Sequence, residues 1–286
     1  GTLEGALRAF AAYDTESPWL SEPTAEALDA LDLHQWLDKA QSLLALKADA
    51  MAVGLQTAPT WPGSDSPPER PPRRFHEPTS HRVLLLHHAA AQAHVAVLTR
   101  DADYASGRVP LYKLYSEAMG GSAGVVFQEL REARGLAYSA RGSLDRGALP
   151  GDDNLVMGQV ATTPEKAADA ATVLFELMRD SPVDAPRFAR AKASAVQKLQ
   201  SEATSFRRVP TSVLSWRLRG LDRDPRPAWI EAMESLDHAE LTAFTDRWRQ
   251  RPLTVTVLGD LTRIDRGALQ RLGDCVEVTL GDISTR

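Results

Sequence analysis

Apolar residues recur at two spacings along the chain, and each spacing predicts one kind of element. Apolar runs of strand length at 82–87 and 92–98 are joined by a short connection, which predicts neighbouring antiparallel strands or one bent pair. Apolar residues at helical spacing predict a helix over 109–119. Two more strands are expected at 136–144 and 154–162, separated by a turn rich in Gly and Pro.

Helical spacing dominates the second half of the chain. Because the strands come in adjacent pairs and the helices cluster late, we predict an α+β fold with a mostly antiparallel sheet and helices packed on one face. The remaining predicted elements are helices near 162–178, 185–206, 213–221 and 238–249, a strand at 253–258, and a last helix and strand at 265–272 and 276–280.

The first 56 residues predict two helices, at 3–13 and 33–46, and an extended segment at 48–53, which do not make a complete domain. The segment 30–54 aligns without gaps to 235–259, and we interpret this as an internal repeat. The alternative is that any helix followed by a strand would align this well. Both copies place an acceptor side chain at the helix start and another three residues later, Asp32 with Gln35 and Asp237 with Glu240.

Seven prolines lie between Thr57 and Pro78, which predicts a semi-rigid linker; the alternative is a polyproline ligand for a partner module. The predicted organisation is a closing fragment of a preceding homologous unit at 1–56, a Pro-rich linker at 57–78 and a complete unit at 79–286. The start of the chain has no signal-peptide pattern, and we interpret it as a cut inside a longer protein.

Composition narrows the classes of protein. A chain of 286 residues with 43% apolar and 25% charged residues is typical of a globular fold. The net charge of −5 and the absence of a basic cluster in the sequence argue against a nucleic-acid partner. No apolar run reaches the roughly 20 residues of a membrane-spanning helix. The single cysteine, Cys275, excludes an intrachain disulfide, and the compartment stays open.

One stretch, 115–139, joins a helix end, a glycine-rich turn, a second helix and a strand start. Gly120, Gly121 and Gly124 surround Ser122, and the residues after them read as a short helix over 125–134. Gly135 stands where a left-handed helix cap is needed, and a strand is expected from Leu136. This arrangement predicts that Arg131, near the helix end, and Tyr138, on the strand, lie close enough to serve one ligand.

The segment 127–139, with Leu130-Arg131-Glu132 and Arg134-Gly135-Leu136 followed by Tyr138, resembles the carboxy-terminal halves of pitrilysin/insulinase-family zinc peptidases. The resemblance implies paired α+β units, of which one carries the zinc motif H-x-x-E-H and the other lends an Arg and a Tyr to the substrate. Arg131 and Tyr138 occupy those two places. It also implies a glycine-rich substrate loop, here Gly120, Gly121 and Ser122.

The zinc motif itself is missing from this chain. None of the seven histidines stands in H-x-x-E-H or H-E-x-x-H spacing. His87, His88 and His94 suggest a metal site, but the segment contains no acidic residue that could serve as a further ligand. The neighbouring residues His87 and His88 of a strand would also point to opposite faces. We therefore expect no metal or other cofactor in this chain, with zinc held by a partner unit.

The functional hypothesis is a non-catalytic carboxy-terminal unit that binds extended peptide and supplies Arg131 and Tyr138 to a zinc-bearing unit, in cis or in trans. Alone it should not cleave peptides. The alternative is a degenerate homologue acting as a scaffold or assembly subunit. For the site residues, the structural alternatives are a helix-end arginine, a packing tyrosine and a plain turn between helices.

Overall fold

A computed structural model describes residues 2–48, 51, 53–54 and 62–285. Their centre is one sheet of six strands in the order β3-β4-β2-β5-β1-β6. The strands are β1 (Arg82–His87), β2 (Ala93–Asp103), β3 (Ser139–Asp145), β4 (Asp153–Thr162), β5 (Thr254–Gly259) and β6 (Asp274–Val278).

The sheet is mixed, so the prediction of a mostly antiparallel sheet was wrong. Strand β1 runs parallel to both β5 and β6, whereas β2 is antiparallel to β4 and β5, and β3 is antiparallel to β4. The expected pairing of β1 with β2 is also wrong, because β5 lies between them: Val257 pairs with Leu85 on one side and Val95 on the other. The alternation of apolar residues identifies strands but does not encode their neighbours.

Most helices cover one face of this sheet. Helices α4, α6, α7 and α10 bury Leu114, Leu174, Leu199 and Phe244 in the core that also contains Val257 of β5. The helices are α1 (Leu3–Tyr13), α2 (Ala25–Asp29), α3 (Leu33–Leu44), α4 (Val109–Met119), α5 (Val125–Phe127), α6 (Ala167–Asp180), α7 (Ala185–Ser201), α8 (Val209–Leu218), α9 (Arg226–Ser235), α10 (His238–Thr245), α11 (Arg266–Gln270) and α12 (Leu280–Ile283).

The opposite face also carries helices, which corrects the expectation that they pack on one face only. Ala6 and Leu7 of α1 and Ile283 of α12 pack in a second core with Leu84 and Leu86 of β1. Successive residues of a strand point to opposite faces, and this strand is apolar at every buried position. It therefore requires cover on both sides.

The amino-terminal region agrees with the predicted helices. Asp32 caps α3 by accepting a hydrogen bond from the His34 N–H, and Asp237 and Glu240 form the predicted capping box of α10. The corresponding capping box of Asp32 with Gln35 is not formed among these described residues. For the predicted extended segment 48–53, residues 49–50 and 52 lie outside the described part, and Ala48 and Met51 are not in a strand. The division into three regions stays a prediction.

Among the described residues, the helices α2, α9 and α12 were not predicted from the sequence. The clearest case is α9. The two prolines before Trp229 predicted a loop, but Pro227 occupies the first turn of α9. A proline is tolerated there because the first backbone N–H groups of a helix have no partner within the helix.

The part of the linker that the structure describes is anchored at the start of β4. The buried Asp152 carboxylate accepts hydrogen bonds from the Arg70 side chain, at 2.7 Å, and from the Arg73 N–H, at 2.8 Å. The Asp153 carboxylate, whose side chain is fully buried, forms ion pairs with Arg74 at 2.9 Å and Arg100 at 2.8 Å. This linker is thus held to the sheet by charge-assisted hydrogen bonds.

These pairs determine how the two carboxylates titrate. Burial disfavours the charged form of Asp153, but hydrogen bonds from Arg100, the Phe75 N–H and Arg74 outweigh it and hold the pKa of Asp153 below its usual range. The pKa of Asp152 is likewise lowered, since bonds from Arg73, Arg70 and the Leu149 N–H overcome burial. Both carboxylates are therefore stabilised in the charged form.

We predict that Asp153→Asn lowers the free energy of unfolding by about 1.5–3 kcal/mol at neutral pH, because it removes the charge of the buried carboxylate that accepts hydrogen bonds from Arg74 and Arg100. Since the folded-state pKa is depressed, the stabilisation is complete above the unfolded-state pKa of about 3.9 and is lost as the pH falls through the folded-state value. Urea unfolding at several pH values measures this.

The matched control is Asp169→Asn, an exposed carboxylate in the first turn of α6. We expect it to change stability by less than about 1 kcal/mol. Equal losses for the two variants would contradict the anchoring role of Asp153.

Candidate functional site

The candidate site begins where α4 ends against the edge strand β3. A Cβ added to Gly120 would lie 2.6 Å from the Gly142 carbonyl oxygen, so the turn packs on the β3 backbone. Gly121 has a φ of +68°, which L side chains rarely adopt, and a Cβ on Gly124 would meet the Gly120 carbonyl oxygen at 1.9 Å. The glycines are therefore required by conformation and close packing.

Ser122, at the tip of this turn, is exposed. Its carbonyl oxygen accepts a hydrogen bond of 2.6 Å from the Gln128 side-chain amide, which ties the turn to the following helix. The structure therefore explains Gly120 and Gly121 without a ligand, and substrate contact at Gly120, Gly121 and Ser122 stays a prediction.

The predicted helix over 125–134 forms in two parts. It starts as α5 and continues as a π-helix at Gln128–Ala133, with Leu130 buried beneath it. Single-turn π-helices are often found at functional sites, since they widen the turn and redirect the side chains. The predicted left-handed cap is present at Gly135, with a φ of +59°.

Three contacts hold the backbone that follows the π-helix. The Leu136 N–H donates to the Leu130 carbonyl at 2.8 Å, and the Thr162 hydroxyl donates to the Leu136 carbonyl at 2.5 Å. The Lys166 ammonium donates to the Gly135 carbonyl at 2.9 Å. Residues 135–136 are thereby fixed between the helix and the end of β4.

Tyr138 lies just before β3, which begins at Ser139 and not at Leu136 as the sequence predicted. Its N–H donates to the Ala161 carbonyl at 2.8 Å, so the backbone is already paired with β4. Tyr138 is 57% exposed, and it is one of the large apolar or aromatic residues that remain accessible to solvent. A fixed backbone therefore carries an exposed phenol.

Arg131 lies on the π-helix with a side chain that is 49% exposed. Its guanidinium carbon stands 5.0 Å from the centroid of the Phe127 ring, and its Nε is 3.8 Å from a Glu132 carboxylate oxygen. A surface pair at that distance contributes little, so the guanidinium remains accessible to a carboxylate or a carbonyl group. Arg131 and Tyr138 lie on either side of the Gly135 cap.

In the described ranges, no group of three or more His, Cys, Asp or Glu residues is arranged to hold a metal ion. His87 instead accepts a hydrogen bond of 3.2 Å from the Leu261 N–H, and His94 lies 3.5 Å from the Glu4 carboxylate. Within the same residues, no helix is both long and apolar enough to cross a bilayer.

A second feature was missed by the sequence reasoning. Lys113, Arg146 and Arg219 gather near Trp229, although they come from separate parts of the chain. No motif could have revealed this group, since only the packing of α4, α8 and α9 beside the end of β3 brings it together.

Comparison with known proteins identifies a matching family model and related sequences. Residues 28–194 match the family model described as peptidase M16 inactive domain. An uncharacterized zinc protease of Mycobacterium bovis is 35% identical over 111 residues, and the same figures hold for one of Mycobacterium tuberculosis. The match covers 37% of this chain and only 25% of each relative.

Solved structures share the fold. A peptidase M16 inactive domain from Pseudomonas fluorescens superposes with a TM-score of 0.67 at 12% identity, over 92% of this chain and 66% of that one. A conserved protein of Enterococcus faecalis gives 0.65 at 15% identity, over 92% and 64%. A chain of complex III2 from Candida albicans gives 0.56 at 12% identity, over 85% and 57%.

We predict that Gly120→Ala lowers the free energy of unfolding by about 1–3 kcal/mol, because the new methyl group would displace the turn from the β3 backbone. Gly107→Ala is the matched control, since a Cβ there meets nothing within 4 Å. It should be neutral or stabilising by up to about 1 kcal/mol. Chemical denaturation compares the two, and equal effects would show that the turn does not depend on this close approach.

Proposed function

The chain belongs to the family of peptidase M16 inactive domains, and from this premise we propose that it is the non-catalytic unit of an insulinase-like zinc peptidase. In this proposal it binds extended peptide and supplies Arg131 and Tyr138 to a zinc-bearing unit of the same family, in cis or in trans. Zinc in that unit would activate the attacking water.

The exposure of Arg131 and Tyr138 on a fixed backbone is the observation that carries the proposal. The Tyr138 hydroxyl would donate a hydrogen bond to a peptide carbonyl oxygen as negative charge develops on it. Arg131 would hold a backbone carbonyl or carboxylate group with its planar guanidinium. Such donors are effective when the protein has oriented them in advance, and the contacts of residues 135–136 provide that orientation.

A surface for the zinc-bearing unit is offered by α3. Its apolar residues Leu33, Trp36 and Leu43 are all more than half exposed. In the gapless repeat, Trp36 and Leu43 correspond to Leu241 and Trp248, which are buried in this unit's own core. An uncovered apolar stripe of this length is typical of an interface. We infer that the sheet of a homologous unit covers α3 in the way that the sheet and helices of this unit cover α10.

The alternative role is that of a scaffold or assembly subunit without a part in catalysis. Its support is the shared fold with a chain of complex III2 from Candida albicans, which at 12% identity concerns the fold alone. The two roles differ in what they require of Tyr138, because only a catalytic role needs its hydroxyl.

We predict that Tyr138→Phe, in the chain reconstituted with a zinc-bearing M16 unit from the same genome, lowers kcat for peptide cleavage by roughly a hundred- to thousandfold. Loss of one oriented donor to a developing oxyanion costs about 2.7–4 kcal/mol. Steady-state kinetics with a quenched fluorescent peptide measures it. Tyr13→Phe, which removes a hydroxyl at the carboxyl end of α1, should leave kcat unchanged.

The chain without the zinc-bearing unit is the negative control of this experiment. We expect it to bind no stoichiometric zinc by elemental analysis and to cleave no peptide. If Tyr138→Phe turns over at the wild-type rate while the reconstituted enzyme is active, the tyrosine is structural and the scaffold role is preferred.

We predict that Trp36→Ser with Leu43→Ser weakens association with the zinc-bearing unit by about tenfold or more, because buried aromatic and aliphatic anchors dominate interface energy. Sedimentation or titration calorimetry measures the dissociation constant. Leu218→Ser is the control, since Leu218 is 54% exposed on α8. Equal affinities for the double variant and the wild type would exclude α3 from the interface.

A further inference from the structure

Three cationic side chains lie around two aromatic rings at one end of the helical layer. The Lys113 nitrogen is 5.8 Å from the centroid of the Trp229 ring, and the Arg146 guanidinium carbon is 6.0 Å from the same centroid. The Arg219 guanidinium carbon is 5.9 Å from the Tyr104 ring. We call Lys113, Arg146 and Arg219 the cation cluster.

The cation cluster has no carboxylate partner within ion-pair distance among the residues that the structure describes. Arg219 donates a hydrogen bond to the Ser215 hydroxyl, while its Nε is buried with no hydrogen-bond partner among the described residues. A neighbouring cation, Arg226, is already paired with Asp224. The cation cluster therefore differs in its partners from the other arginines around the sheet, because most of those arginines form an ion pair with a carboxylate.

Burial and mutual repulsion both act on this cluster. Burial lowers the pKa of Lys113, and the charge of Arg146 lowers it further, although Glu202 opposes this. Burial and Arg219 lower the pKa of Arg146. Like charges held close together cost free energy, and a bound anion would reduce that cost.

The cluster lines a cavity large enough for a small ligand. Two adjoining cavities, of about 340 and 420 Å³, share Lys113, Arg146 and Glu202 on their walls. Besides the cations, the larger one is lined by hydroxyl groups, which donate hydrogen bonds to anionic oxygens. These hydroxyl groups belong to Thr204, Thr211, Ser212 and Ser215.

We propose that this cavity binds a small polyanion with phosphate or carboxylate groups, held by Lys113, Arg146 and Arg219. Among the residues that the structure describes, Glu202 is the one carboxylate on the wall that is not in an ion pair. One carboxylate balances only one of the three cations, so a surplus of positive charge remains in a chain whose net charge is −5. The site is separate from Arg131 and Tyr138 and does not depend on the proposed function.

Titration calorimetry of the whole chain at low salt tests the proposal, with inorganic pyrophosphate as the phosphate probe and citrate as the carboxylate probe. We expect at least one of them to bind with a stoichiometry of one and to weaken as salt is added. Whichever binds more tightly identifies the group that the cavity prefers.

Arg146→Met should weaken binding of that probe by about tenfold or more, because it removes a charged donor while keeping the length of the side chain. Lys113→Met should act in the same direction and serves as the second variant if Arg146→Met fails to fold. Arg190→Met is the control, since Arg190 is an exposed arginine of α7 outside the cavity.

Unchanged affinity in folded Arg146→Met or Lys113→Met, an equal loss in Arg190→Met, or no binding of either probe at millimolar concentration would overturn the proposal.

Discussion

The structure depends on the position of β5 between β1 and β2. All six residues of β5 are buried, with Val255 and Val257 facing the helical layer and Leu258 facing α1. A strand buried on both faces and paired on both edges satisfies its backbone groups only through its neighbours. Strands β1 and β2 are neighbours in the sequence, but in the sheet they are joined only through β5, which lies near the carboxyl end of the chain. The central pairing is therefore non-local.

That arrangement leaves β3 as an edge strand, and the candidate site is built there. An exposed edge offers unpaired backbone groups, and proteins commonly cover or interrupt such edges. Here the turn at Gly120 packs on the β3 backbone, and the π-helix and Gly135 cap lead into its start. The same segment thus closes part of the edge and presents Arg131 and Tyr138 to solvent.

Charged side chains have two opposite kinds of environment in this fold. At the start of β4, two buried aspartates each face at least one arginine, and their pKa values fall as a result. Around Trp229, the cations have no such partner within the described part of the chain, and the pKa values of Lys113 and Arg146 fall because the charged form is disfavoured. The first arrangement fixes the linker to the sheet, whereas the second leaves positive charge available to a ligand.

The sequence by itself determined most elements of the chain and their caps. The capping box of Asp237, the left-handed Gly135 and the family segment at 127–139 are local features, since each depends on residues within a few positions of one another. The α+β class and the absence of a zinc motif in the sequence could also be inferred from the sequence.

Only the tertiary structure decided which strands are neighbours, which face α1 covers and which cations meet. Strand order is set by long-range burial, so the apolar runs at β1 and β2 could not reveal that β5 lies between them. The cation cluster likewise joins residues about 100 positions apart, from Lys113 to Arg219. Local sequence patterns specify the conformation of each helix and strand. Which strands pair, and which distant side chains come together, depends on the apolar surfaces that are buried against one another.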